Sequence, residues 1–297
     1  MSSGGSHGRV AVAPSEDSRG GLEAKTSIGS RRDVRVAIVC AVIVVIAVVT
    51  SLVPRFTQPE AYHHFADREP ALGIPNFFNV ASNLGFLVVG LMGLYFVVRG
   101  TLRDGRPAFI DASERWSWGV VFAGTAATCV GSGFYHLAPD SPRLAWDRLP
   151  MAVAFMGIVA AVVSERVSAT AGRRMLVPLV LGGSASVWYW RWSASRGVEN
   201  LNPYGAVQYG SLLVLLLLIA LFPSRYTRGR DTLVALAWYG LAKAAEYFDQ
   251  AIFVATGDRV SGHTLKHLLA ALAIFWLLRM LALRRPVSAT ADAVGGT

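Results

Sequence analysis

Long apolar runs alternate with short polar or basic connections along almost the whole chain. A helix needs about 20 apolar residues to cross a bilayer. Eight runs approach or meet that length, and each is predicted to be a spanning helix: Val34–Val53, Asn79–Val98, Trp116–His136, Trp146–Val163, Met175–Trp190, Ala206–Phe222, Thr232–Val254 and His263–Leu283. Residues 1–33 are rich in Ser, Gly and charge without apolar periodicity, so a disordered tail is expected there. That tail is too long and too mixed for a signal-peptide leader. No A-x-A site follows the first run, so it is expected to persist as a helix. Residues 284–297 are small and polar again and read as a second disordered tail.

Composition agrees with the pattern. Hydrophobic residues make up 53% of the 297 and charged residues 16%, where a soluble domain carries about 25% charged residues. Mean hydropathy is +0.44. A net charge of +9 would also suit nucleic acid, but the Arg residues flank the apolar runs and no aromatic–basic module or phosphate-cradling Gly loop is present. No nucleic-acid partner is expected. The basic residues concentrate in alternate connections: Arg31, Arg32 and Arg35; Arg99, Arg103, Arg106 and Arg115; Arg166, Arg173 and Arg174; Arg225, Arg228 and Arg230; Arg284 and Arg285. Since Lys and Arg favour the cytoplasmic side, a multi-pass protein of the cell membrane with both termini cytoplasmic is predicted. Trp188, Trp190 and Trp192 then fall at the outer interface. Cys40 and Cys129 lie inside apolar runs and read as packing residues rather than a disulfide.

Ionisable groups inside spans are costly and mark candidate sites. Ser132 and His136 stand four apart at the end of the third run and share a helix face. After a short hairpin with Pro139 and Pro142, the fourth run opens with Asp147. The last run opens with His263 and His267, an H-x-x-x-H pair whose imidazoles project from one face. The predicted topology puts His136, Asp147, His263 and His267 at one depth near the outer face. Three imidazoles with an open position suit a catalytic zinc ion, a carboxylate beside them can take a proton from water, and a hydroxyl can steady the oxyanion. Taken singly, each residue has a plainer reading: the H-x-x-x-H pair by chance, Ser132 as packing, Asp147 as a helix cap. His63 and His64 read as interfacial anchors. Lys243, Glu246 and Asp249 follow at i, i+3 and i+6 beside Gln250. A Lys243–Glu246 ion pair is the preferred reading, and a role for Asp249 in orienting the imidazoles is the alternative.

Ser132-x3-His136, Asp147 and His263-x3-His267 together resemble the alkaline ceramidase family, whose superfamily also includes the adiponectin and progestin-type receptors. Asn79-Val80-Ala81-Ser82-Asn83 is similar to that family's first core helix, and Asn202-Pro203-Tyr204 with Gln208 to a later motif. The resemblance covers roughly residues 65–283. It implies an all-α transmembrane bundle with a seven-helix core over 79–283 and an added helix over 34–53. It implies Zn2+ on His136, His263 and His267, with Asp147 activating a water and Ser132 orienting it. The implied reaction cleaves ceramide or a related N-acyl lipid to a fatty acid and a sphingoid-type amine. The family's calcium site falls before the first core helix, where Glu60, Asp67, Glu69 and Asn76 stand in a different pattern; a solvated loop is expected instead of bound Ca2+. The superfamily also admits a zinc-containing receptor or sensor. A transporter or proton channel lined by Lys243, Glu246 and Asp249, or a retinal-binding pump through Lys243, completes the alternatives.

Overall fold

All eight predicted runs are helical in the computed structural model, which describes residues 16–287, with side chains described from residue 31. Helix makes up 74% and no strand is formed among the described residues, so the chain is all-α. Helix α1 spans Glu16–Leu52. A short α2 (Phe77–Ala81) leads into α3 (Leu84–Arg99), followed by α4 (Glu114–Leu137), α5 (Ser141–Arg166) and α6 (Ala169–Ser195). Helix α7 (Asn202–Gly205) passes through a π-helical turn, Ala206–Gly210, into α8 (Ser211–Leu221). Helices α9 (Asp231–Tyr247), α10 (Asp249–Ala255) and α11 (Gly262–Leu283) complete the fold.

Among the described residues, six helical stretches are long and apolar enough to cross a membrane: Arg31–Leu52, Phe77–Arg99, Glu114–Leu137, Ser141–Arg166, Asn202–Leu221 and Gly262–Leu283. These mark a multi-pass membrane protein. The fifth predicted run corresponds to α6, and the seventh, Thr232–Val254, breaks at Phe248 into α9 and the short α10. Gly, Ser and Arg dilute α6, and α9 ends after 17 residues.

Helices α3, α4, α5 and α6 pack in sequence, α11 joins α3 to α9, and α8 lies against α5. Their shared core includes Trp118, Val121, Phe122, Leu215, Leu218 and Leu281. Helix α1 packs along α7, the π-helical turn and α8, leaving side chains such as Val44, Val45 and Val48 exposed on its outer face.

Both expected tails need correction where they are described. Helix α1 begins at Glu16, so residues 16–33 continue the helix of the first run. Once a helix is nucleated, each added residue gains a backbone hydrogen bond, and the apolar run supplies the nucleus. Residues 1–15 lie outside the described residues. At the other end Arg284 is buried, at 2% exposure. It pairs with Glu165 on α5 and stacks on Tyr226, 3.7 Å from the ring centroid. Glu114 on α4 accepts from the Tyr226 hydroxyl and from Arg225. Ion pairing therefore holds residues 284–287 on the bundle; residues 288–297 lie outside the described residues.

Candidate metal centre and adjoining cavity

The C-terminal end of α4 and the N-terminal ends of α5 and α11 meet at the end of the bundle opposite Arg284. Two glycines permit the approach. A Cβ on Gly131 would lie 2.1 Å from the Trp146 carbonyl oxygen, so only glycine lets α4 and α5 close here, one residue from both Ser132 and Asp147. A Cβ on Gly262 would lie 2.1 Å from the Ala245 carbonyl oxygen, so α11 starts hard against α9. The Asp249 carboxylate accepts from the backbone N–H of His263 at 2.7 Å and from that of Ala66 at 2.9 Å. It is a cap for α11 and a fastening for the 65–67 segment. It does not hold an imidazole ring in the way the sequence alternative supposed.

His136, His263 and His267 converge. All three are buried, and one ring nitrogen from each lies within 4.8 Å of the others. The Nε2 atoms of His136 and His263 are 3.3 Å apart. Two lone pairs that close require a proton or a cation between them. Donors at about 2.0–2.1 Å from a tetrahedral zinc ion are themselves separated by about 3.3 Å, so this spacing fits the ion. Nδ1 of His267 lies 2.8 Å from the Ser82 hydroxyl, and that hydroxyl donates to the Asn79 carbonyl. The hydroxyl's one proton being committed, it accepts from Nδ1–H. This leaves the Nε2 lone pair of His267 free toward the other imidazoles. Asn76 ties the chain to the His136 carbonyl at 2.8 Å. The group could hold a metal ion, and three imidazole nitrogens are compatible with zinc.

Phe65 covers the group. Its ring centroid lies 4.7 Å from that of His136 and 4.4 Å from that of His263, and its exposure is 6%. The sequence offered no sign of this role, because Phe65 stands in an irregular connection without periodicity.

His267, Ser132 and Asp147 line one cavity of about 480 Å³. The Ser132 hydroxyl lies beside the Asp147 carboxylate. The residues chosen from spacing are thus neighbours. Across the cavity, Lys243 pairs with Glu246 as preferred from the sequence, and Lys266 joins them: its ammonium donates to Glu246 Oε1 at 3.0 Å and lies 3.0 Å from His263 Nε2, so a metal ion on that nitrogen would take the place of the ammonium contact. Lys266 was missed because a Lys inside H-x-x-x-H reads as a spacer. Tyr62 donates to Glu246 at 3.1 Å; burial pushes its phenol well above the usual value and keeps it a neutral donor. Gln208, on the π-helical turn, donates to the Tyr239 hydroxyl at 2.8 Å, and both line the cavity.

No protein-family model and no curated protein matches the chain. The site residues themselves therefore carry the functional argument.

Two other sequence readings change. His63 is 6% exposed, with Nδ1 2.9 Å from the Tyr135 hydroxyl and Nε2 3.1 Å from the Ser141 hydroxyl. It is an internal link between the first connection, α4 and α5, not a surface anchor. Trp190 is fully buried and donates to Glu199 at 2.6 Å, while Trp188 and Trp192 are exposed. In the calcium region, Asp67 is buried and accepts from the Glu69 N–H at 3.0 Å. Among the described residues the histidine group is the one set of three metal-ligating side chains drawn together.

Proposed function

We propose that the protein is a zinc-dependent hydrolase of N-acyl lipids, built as a seven-helix core with α1 added, and acting on ceramide or a related amide. The carrying observation is the convergence of three buried imidazoles, one of which, His267, lines the same cavity as Asp147 and Ser132. Zinc held by His136, His263 and His267 would supply a bound water of pKa roughly 7 as nucleophile. Asp147 would take a proton from the attacking water as it adds to the carbonyl carbon and would hand it to the amide nitrogen as the C–N bond breaks. Ser132 orients the Asp147 carboxylate. Phe65 and the apolar walls exclude bulk water. The products are a fatty acid and a free amine.

The charge alternation supports an arrangement with both termini in the cytoplasm and the site toward the outer leaflet of the cell membrane. The resemblance to alkaline ceramidases agrees with the same residues. A transport path along Lys243, Glu246 and Asp249 is disfavoured, because the first two neutralise each other and the third caps α11. A receptor or sensor of the same superfamily would share the metal group but lack turnover.

The test is hydrolysis of a labelled N-acyl sphingoid lipid by purified protein. Activity is expected, and it should disappear on chelation and in Asp147→Asn. Turnover that survives both treatments overturns the mechanism. Zinc bound without turnover favours the receptor reading.

A further inference from the structure

Arg148 follows Asp147 on α5 and lines the same cavity, yet the reaction outlined above does not use it. It is 6% exposed. Its Nη2 donates to Gln58 Oε1 at 2.6 Å, while its Nη1 is buried and has no hydrogen-bond partner. The guanidinium carbon lies 4.5 Å from the ring centroid of Trp190, 4.9 Å from that of Tyr204 and 5.5 Å from that of Tyr62. These faces hold the group by cation–π contact and strip its water, but none supplies an anion.

The other charges lining the cavity do not supply the missing partner. Lys243 and Lys266 both pair with Glu246. Asp147, the other carboxylate, lies beside Ser132 and is close enough to feel the Arg148 charge, but it forms neither an ion pair nor a hydrogen bond with that guanidinium. Three cations, Arg148, Lys243 and Lys266, thus meet two carboxylates, before any metal ion adds positive charge. A buried, incompletely paired guanidinium at membrane depth is costly and is retained where a ligand brings the counter-charge. Its planar fork matches a carboxylate or a phosphate. A neutral amide lipid offers it only uncharged acceptors, the amide carbonyl and hydroxyl oxygens.

We propose that the cavity selects N-acyl lipids whose amine portion carries an oxyanion, a carboxylate or a phosphate, and that Arg148 is the residue that recognises it. The identity of the cleaved bond rests on the hydrolase reading; the anion subsite stands on Arg148 alone.

The experiment uses the full chain in zwitterionic nanodiscs. It measures binding of N-oleoylglycine, N-oleoylethanolamine phosphate, neutral N-oleoylethanolamine and oleate, with zinc and after chelation, and hydrolysis of the three amides in parallel. The expected result is binding of at least one oxyanion-bearing amide about tenfold tighter than the neutral amide, as a charge-assisted bond provides. The two anionic amides show which oxyanion fits. Arg148→Gln should bring the ratio to near one, and Arg148→Lys should keep part of it. A wild-type ratio near one overturns the proposal even if Arg148→Gln fails to fold. Equal weakening of charged and neutral ligands in Arg148→Gln would make Arg148 a packing residue and also overturn it. Oleate binding as tightly as N-oleoylglycine with the same Arg148 dependence would move the anion to the acyl product and overturn the assignment to the amine side. No hydrolysis of any amide, with the binding ratio intact, would sink the hydrolase reading and leave the anion subsite in place.

Discussion

The Ser82 hydroxyl stands 2.8 Å from Nδ1 of His267 and donates a hydrogen bond to the Asn79 carbonyl. A serine on α2–α3 thereby sets the tautomer of an imidazole on α11. Ser82→Ala should weaken zinc affinity by about 10–100-fold, as loss of such supporting bonds does. Competition with a chromogenic chelator measures it. Unchanged affinity would show that His267 is oriented by packing alone.

The histidine group should bind close to one zinc ion per chain, and His263→Ala should lose most of it. Metal analysis of wild type beside the variant checks this. A ligand bound only by the native state raises stability, so chelation should also lower the melting temperature of wild type and leave His263→Ala nearly unmoved. Equal metal content in the two proteins would remove His263 from the ligand set.

Gly131→Ala tests how the acid reaches the hydroxyl. The added methyl would sit 2.1 Å from the Trp146 carbonyl oxygen, so α4 and α5 must part. Overpacking of this kind costs about 1–3 kcal/mol. The melting temperature should fall, and hydrolysis should fall further than stability alone explains because Ser132 and Asp147 separate. A variant that melts and turns over like wild type would refute the close approach.

Much of this site was legible from spacing alone. Ser132 and His136, and likewise His263 and His267, fall on common helix faces because four residues nearly complete a turn. Asp147 follows by one short hairpin. What escaped detection depends on contacts distant in sequence: Phe65 over the imidazoles, Ser82 against His267, Lys266 beside His263. Irregular connections have no period to betray which side chain turns inward, so His63 was misjudged for the same reason. Arg284 looked like tail because the acids that bury it lie on α4 and α5, more than a hundred residues earlier.

His63 predicts a pH response. Burial pushes its imidazole below the usual 6.5, and Glu60 and Asp140 offset only part of that cost. The folded state therefore holds the proton less well than the unfolded chain. Stability from this residue is complete above about pH 6.5 and declines as pH falls through the lower folded value. His63→Gln should flatten the acid limb of a melting-temperature profile below about pH 6.5. A profile identical to wild type would assign that limb to other groups.

Asp249 is expected to matter for stability more than for metal. Replacing it with Ala removes acceptors for the His263 and Ala66 N–H groups, a loss of about 1–2 kcal/mol by analogy with helix caps. Zinc content should persist in the folded fraction. Loss of metal without loss of stability would restore the ring-orienting role.

Arg284 and Asp249 grip α11 at its two extremities, one through Glu165 and Tyr226, the other through the first turn of the helix. A rod pinned at both ends cannot ratchet along its own axis. The two imidazoles of α11 therefore share one axial position that is set from both ends of the helix, not by the first turn alone.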